Sequence, residues 1–137
     1  MNDILEMKKY IFASLFINAN RLQNACEKIQ KEITMKQWLM LAIASTNNNE
    51  KNLTELAELM GCSRQNIKKL AKPLVDKGYI ELSKGKYNST NIKIKDKFNT
   101  YSEIMSNRHL ETLKLLFFDF DENDLLNLYS CFSKLDK

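Results

Sequence analysis

Between residues 53 and 72 the chain reads Leu-Thr-Glu-Leu-Ala-Glu-Leu-Met-Gly-Cys-Ser-Arg-Gln-Asn-Ile-Lys-Lys-Leu-Ala-Lys, a pattern that few backbone arrangements accept. Ala57 stands where two helices must cross closely. Gly61 follows where a turn calls for positive φ, and Ile67 sits beyond it as an apolar plug between the helices. This is the packing signature of a helix-turn-helix. Thr54 and Ser63 are each placed as N-caps, and Leu56, Met60 and Leu70 complete the buried stripe. Arg64, Gln65 and Asn66 then occupy the first turn of the second helix. There a recognition helix meets base edges, and these side chains can make paired hydrogen bonds to guanine or adenine.

A helical hairpin inside an unrelated bundle shows similar Leu and Ala spacing, and charge separates the two readings. From 61 to 100 there are ten basic residues (Arg64, Lys68, Lys69, Lys72, Lys77, Lys84, Lys86, Lys93, Lys95, Lys97) against three acids (Asp76, Glu81, Asp96). Since the whole chain holds 21 basic and 17 acidic residues, the remainder is acidic on balance. The net charge of +4 therefore conceals a basic face on and after the reading helix, the footprint of a polyanion site.

At 137 residues and 44% hydrophobic the chain can bury a core, while three glycines and one proline disfavour a loop-rich or all-β fold. A mainly α fold is expected. Cys26, Cys62 and Cys131 are odd in number and widely spaced, which argues against a disulfide framework or a zinc ribbon. Lys8 and Lys9 precede an apolar run, yet Asp3 and Glu6 occupy the would-be leader and no small-x-small cleavage site follows. The longest apolar stretch, Trp38 to Ala44, is seven residues, too short to span a bilayer. A cytoplasmic protein without a membrane partner is the expectation.

The ends and the middle divide the work. Ile4, Met7, Ile11, Leu15, Leu22, Cys26 and Ile29 form one helical stripe over residues 3 to 30, and Leu5, Phe12, Phe16 and Ala19 a second. Residues 97 to 118 read as a helix, and Asp121 caps another from 122 to 135 with Leu125, Leu128, Phe132 and Leu135 on one face. Terminal helices apolar on more than one face in so short a chain call for a second copy, so 1–32 and 96–137 are assigned to a dimerisation frame. In the middle, Thr34 and Gln37 form a capping box, and Asn47, Asn48 and Asn49 close that helix. Pro73 is expected to kink or end the reading helix, tilting Leu74 to Lys77 away from DNA. Gly78 supplies the helix stop. Tyr79, Ile80 and Leu82 lead into a strand, Gly85 to Ser89 turn, and Ile92 and Ile94 return as a two-stranded wing.

With these elements in order, the chain resembles the MarR-type (multiple antibiotic resistance regulator) family of bacterial winged-helix repressors, from end to end. The resemblance rests on Ile33-Thr34-Met35-Lys36-Gln37-Trp38-Leu39, on Leu53 to Gly61, and on Leu74-Val75-Asp76-Lys77-Gly78-Tyr79-Ile80. It implies a single domain over 1–137, with a winged helix-turn-helix lobe at 33–95 and a helical dimerisation frame around it. It implies further an obligate homodimer reading a pseudo-palindrome in double-stranded DNA, and often a small-molecule effector or oxidant that releases it. One departure stands out. Family wings carry a tip arginine that enters the minor groove, whereas Ser83-Lys84-Gly85-Lys86-Tyr87-Asn88-Ser89-Thr90-Asn91 holds none.

The DNA-contacting set expected from this reading is Ser63, Arg64, Gln65, Asn66, Lys68, Lys69 and Lys72 on the helix, with Lys84, Lys86 and Asn88 on the wing. His109 is the sole histidine and lacks partners at metal spacing, so no metal or cofactor is expected. Cys26 and Cys62 are candidates for redox sensing, against the plainer reading of both as small apolar side chains in a packed interior. Trp38 and the phenylalanines are candidate linings for an effector pocket, against ordinary core. An enzyme has few residues to stand on, without a phosphate loop or a nucleophile-base pair. A winged-helix protein-interaction module without specific DNA binding is the alternative, supported by the wing's missing arginine.

Overall fold

A computed structural model describes residues 3–46 and 50–136. Six helices and a small sheet follow one another as α1 (Asp3–Ile29), α2 (Met35–Ala44), β1 (Lys51–Asn52), α3 (Leu53–Met60), α4 (Arg64–Asp76), β2 (Ile80–Lys84), β3 (Thr90–Ile94), α5 (Asp96–Leu116) and α6 (Glu122–Leu135). The expected mainly α fold with a β-wing is what the chain adopts. It divides into two compact units, Met1–Tyr101 and Ser102–Lys137, so α5 begins in the first and continues in the second. Asn47 to Asn49, expected to close α2, lie outside the described residues; within them, Ser45 is the C-cap.

The core of the first unit is gathered between residues 33 and 98. Met40 and Leu41 of α2, Leu53 and Leu56 of α3, Ile67 and Leu74 of α4, and Ile80 and Ile92 of the sheet are all fully buried. Ala57 is buried at the α3–α4 crossing as its size requires, while Met60 and Leu70 are only partly covered. Gly61 has φ +67, and both bonds of a Schellman turn close α3: the Cys62 N–H donates to the Ala57 carbonyl (3.0 Å) and the Gly61 N–H to that of Glu58 (3.2 Å). The same pattern ends α4 at Gly78, φ +80, with the Tyr79 N–H on the Leu74 carbonyl (2.9 Å) and the Gly78 N–H on that of Val75 (3.0 Å).

Two expectations are corrected here. The cap of α3 is Asn52, whose side-chain oxygen accepts from the Glu55 N–H at 2.8 Å; Thr54 lies in the first helical turn, exposed. The cause is a third strand. Lys51 and Asn52 pair with Ile92 and Asn91 of β3, making a sheet of order β1-β3-β2, and this pairing sets the direction in which the chain enters α3. Second, α4 runs unbroken through Pro73 to Asp76, so Leu74 does not tilt away but is buried. Pro73 and Lys69, whose carbonyl loses its donor, are both exposed, where water can satisfy the orphaned oxygen. On the opposite face Ile67, Ala71 and Leu74 hold the helix to the core on both sides of the proline.

In the second unit α6 begins at a capping box between Asp121 and Asp124, as its cap residue led one to expect. Neither α1 nor α6 contains a buried residue.

Candidate nucleic-acid interface

The first turn of α4 is built by its cap. The Ser63 hydroxyl oxygen accepts from the Asn66 N–H at 3.1 Å, leaving its own hydrogen to donate outward. One helical stripe, Ile67, Ala71 and Leu74, faces the core, so Arg64, Gln65, Asn66, Lys68, Lys69 and Lys72 are all exposed. The helix is also held from above. Gln37 is buried, and its amide serves two elements: its oxygen accepts from the Thr34 N–H (2.9 Å) in the α2 capping box, and its nitrogen donates to the Leu70 carbonyl of α4 (3.3 Å). The box was legible in sequence; the second bond was not, because it joins residues 33 positions apart.

The basic face divides once the side chains are placed. All ten cations counted between 61 and 100 are exposed, yet three have structural employment. Lys77 donates to the Glu32 carbonyl, Lys97 donates to the Lys77 carbonyl and lies 4.8 Å from the centre of the Tyr79 ring, and Lys93 pairs across the wing with Glu81 at 3.7 Å. Lys68, Lys69, Lys72, Lys84, Lys86, Lys95 and Arg64 make no ion pair among the described residues. These seven are what a polyanion would meet. Lys77 and Lys97 instead join a bolt centred on Tyr79, which is buried against Phe98 and Tyr101 and donates its hydroxyl to Glu32 at 3.1 Å. Burial, then that hydrogen bond, push the Tyr79 hydroxyl up to about 12.

β2 and β3 form a ladder of five pairs from Ile80↔Ile94 to Lys84↔Thr90. Ile80 is buried at its base, whereas Glu81 to Lys84 are exposed, so the ribbon runs out of the core. Lys84, Lys86 and Asn88 are exposed at its end, with a single 3-10 turn over Lys86–Asn88. The sequence thus placed the wing correctly, and β1 alone was missed. The α3 cap that follows it did leave a signal, Asn52-Leu53-Thr54-Glu55, a cap residue three before a glutamate.

The other candidates are plainer. Cys62 is half-buried against the lobe core, Cys26 is half-buried near the end of α1, and Cys131 is exposed. Trp38 is packed onto the same core. His109 is half-buried and its pKa is lowered by desolvation. Among the described residues no group of three His, Cys, Asp or Glu side chains is disposed to hold a metal, and no helix is long and apolar enough to cross a membrane.

The MarR family model matches residues 33–89, bearing out the resemblance carried by Ile33–Leu39, Leu53–Gly61 and Leu74–Ile80. Solved structures extend the likeness beyond that stretch. A MarR/EmrR-family transcriptional regulator from Acinetobacter sp. ADP1 superposes with a TM-score of 0.81 at 19% identity, covering 94% of each chain. A MarR-family transcriptional regulator from Rhodococcus sp. RHA1 gives 0.83 at 13%, covering 94% of this chain and 95% of its own. A MarR transcriptional regulator from Methanosarcina mazei Go1 gives 0.81 at 17%, covering 93% and 94%. At such identities the likeness is one of fold. No curated protein matches the chain in sequence.

Proposed function

We propose that this chain, whose residues 33–89 match the MarR family model, is a homodimeric, sequence-specific DNA-binding transcriptional regulator acting in the cytoplasm as a repressor on a pseudo-palindromic operator. One observation carries the reading: α4 is gripped on a single stripe and offers Arg64, Gln65 and Asn66 exposed at its capped start, flanked by lysines without ion pairs among the described residues. Such a surface suits base edges with phosphates on either side. The exposed apolar faces of α1 and α6 supply the reason for a second copy. Two lobes related by a twofold axis would then read half-sites about 10 to 10.5 base pairs apart, centre to centre.

Within that assignment the domain is a single one over 1–137, the lobe spans 33–95, and 1–32 and 96–137 form the dimerisation frame. A small ligand or an oxidant releases the DNA; in the second case Cys26 or Cys62 is the reacting thiol.

Selection of bound duplexes from a random pool tests the reading directly. A recovered pseudo-palindrome, with affinity falling steeply as salt rises, is the expected result. No duplex binding at low salt would leave a winged-helix interaction module instead. On the recovered site Arg64→Ala or Gln65→Ala should cost about 1 to 3 kcal/mol and relax preference at particular base pairs. Lys84→Ala with Lys86→Ala should weaken all DNA alike, lowering the slope of log K against log salt by about 2 per wing.

A further inference from the structure

Two stretches of chain join the lobe to the terminal helices, one running back through residues 30–34 to α1 and the other passing through residue 95 into α5. Both are fastened to one residue. On the first route the Tyr79 hydroxyl donates to Glu32 Oε1 at 3.1 Å. On the second, the Tyr79 carbonyl accepts from the Lys95 N–H at 2.9 Å, and its ring meets those of Phe98 and Tyr101 edge-on, with centroids 6.5 and 5.8 Å away. The same residue closes α4, since its N–H donates to the Leu74 carbonyl at 2.9 Å. The end of the reading helix and both exits from the lobe are thus bonded at a single point.

These ties are not equally firm. The Tyr79 ring is 3% exposed and packed among apolar neighbours, so it cannot shift without opening the core. Glu32, by contrast, is exposed, and water can replace its bond to the hydroxyl at a modest net cost. The side facing α1 is therefore the one that can be released. What it controls follows from the geometry of DNA. Two α4 helices meeting one duplex must match its half-sites, and a single added base pair carries a half-site about 3.4 Å along the axis and about 34° around it. A lobe held fast on the helices that join the copies rejects the wrong spacing, whereas a lobe free to swing accepts it.

Resting on the reading of this chain as a homodimeric DNA-binding protein, we propose that Tyr79 is a positioning residue that makes the protein selective for half-site spacing, its bond to Glu32 being the catch that opens before a lobe can swing to a mis-spaced half-site. Tyr79 touches no base. It acts through α4, whose end it holds, and the bond to Glu32 is kept at the correct spacing and forfeited at the wrong one.

The test uses the full-length protein and the duplex recovered by selection, with one base pair inserted or removed between its half-sites. Wild type should prefer the recovered spacing. Tyr79→Phe should bind that spacing as wild type does, yet bind the mis-spaced duplexes about fivefold more tightly than wild type for each lobe that swings, the scale of one hydrogen bond that no longer has to be broken. A gain of binding cannot come from damaged folding. Base preference within each half-site should be unchanged. Glu32→Ala should behave as Tyr79→Phe does, and the double variant should add nothing to either, whereas Glu32→Gln, which keeps an oxygen able to accept from the hydroxyl, should restore the wild-type preference. Variants that weaken every spacing alike, or a wild type indifferent to spacing, overturn the inference and leave Tyr79 a packing residue in a DNA reader. A wild-type protein that binds no duplex at low salt removes the DNA-binding reading and this inference together.

Discussion

The lobe between residues 33 and 98 and the helices at the two ends use the same apolar residue types to opposite effect. In the lobe the large side chains close on one another: the most deeply buried, from Met40 to Ile92, all come from α2, α3, α4 and the sheet. On α1, by contrast, Ile4, Met7, Tyr10, Phe12 and Phe16 are exposed over 27 residues without one buried position, and α6 shows Leu126, Tyr129 and Phe132 in the same condition. Amphipathic patterning therefore tells which residues must be covered, while only placement tells whether the chain covers them itself. The lobe is a finished core; the terminal helices leave their apolar faces uncovered in the single chain.

Deleting residues 122–137 challenges that contrast most severely. Loss of the α6 surface should abolish the proposed dimer, read by light scattering, and tight DNA binding with it; a truncated chain found dimeric would show that α6 does not form that interface. A smaller effect is expected inside the finished core. Leu56→Ala should cost about 2 to 5 kcal/mol in denaturant unfolding through the cavity it leaves, whereas Phe12→Ala should chiefly raise the protein concentration needed for dimer, because Phe12 is exposed in the single chain. Gly61→Ala keeps the core intact yet forces a Cβ onto φ +67, where nothing lies within 4 Å, so backbone strain alone should cost about 1 to 2 kcal/mol.

The smallest expected change sharpens the border of the lobe. Tyr79→Phe keeps the ring among Phe98 and Tyr101 but loses the hydroxyl's bond to Glu32, a cost of about 1 kcal/mol near neutral pH. With the folded-state pKa raised from 10.0 to about 12, Tyr79 contributes stability that is fully present below pH 10 and is lost as the pH rises towards 12. The phenylalanine variant should therefore fall less steeply than wild type over that alkaline window.

Local signals were legible in the chain, and long-range partnerships were not. Gly61, Gly78, Ser63 and the Thr34–Gln37 box each act through neighbours a few residues away, so residue type and spacing sufficed to place them. Asn52 was passed over for Thr54 because both side chains can cap; strand pairing of Lys51 to Ile92 and of Asn52 to Asn91 decides between them, and pairing so distant in sequence has no local trace. Pro73 was expected to break α4 because the proline's cost is local, while its remedy, three buried contacts on the opposite face, is tertiary. The basic count between 61 and 100 likewise overstated the number of unengaged cations, since Lys77 and Lys97 donate to the carbonyls of Glu32 and Lys77.

The grip on α4 along Ile67, Ala71 and Leu74 has an evolutionary consequence. Because those three residues and the Gln37 bond to the Leu70 backbone secure the helix, none of the side chains at 64, 65, 66, 68, 69 or 72 is needed to fold it. Mutations there are filtered by what the protein recognises and scarcely by whether it survives. If the proposed DNA-reading function holds, a gene copy can drift to a new operator through single exposed substitutions, while the hydrophobic interior stays under a separate and stricter selection.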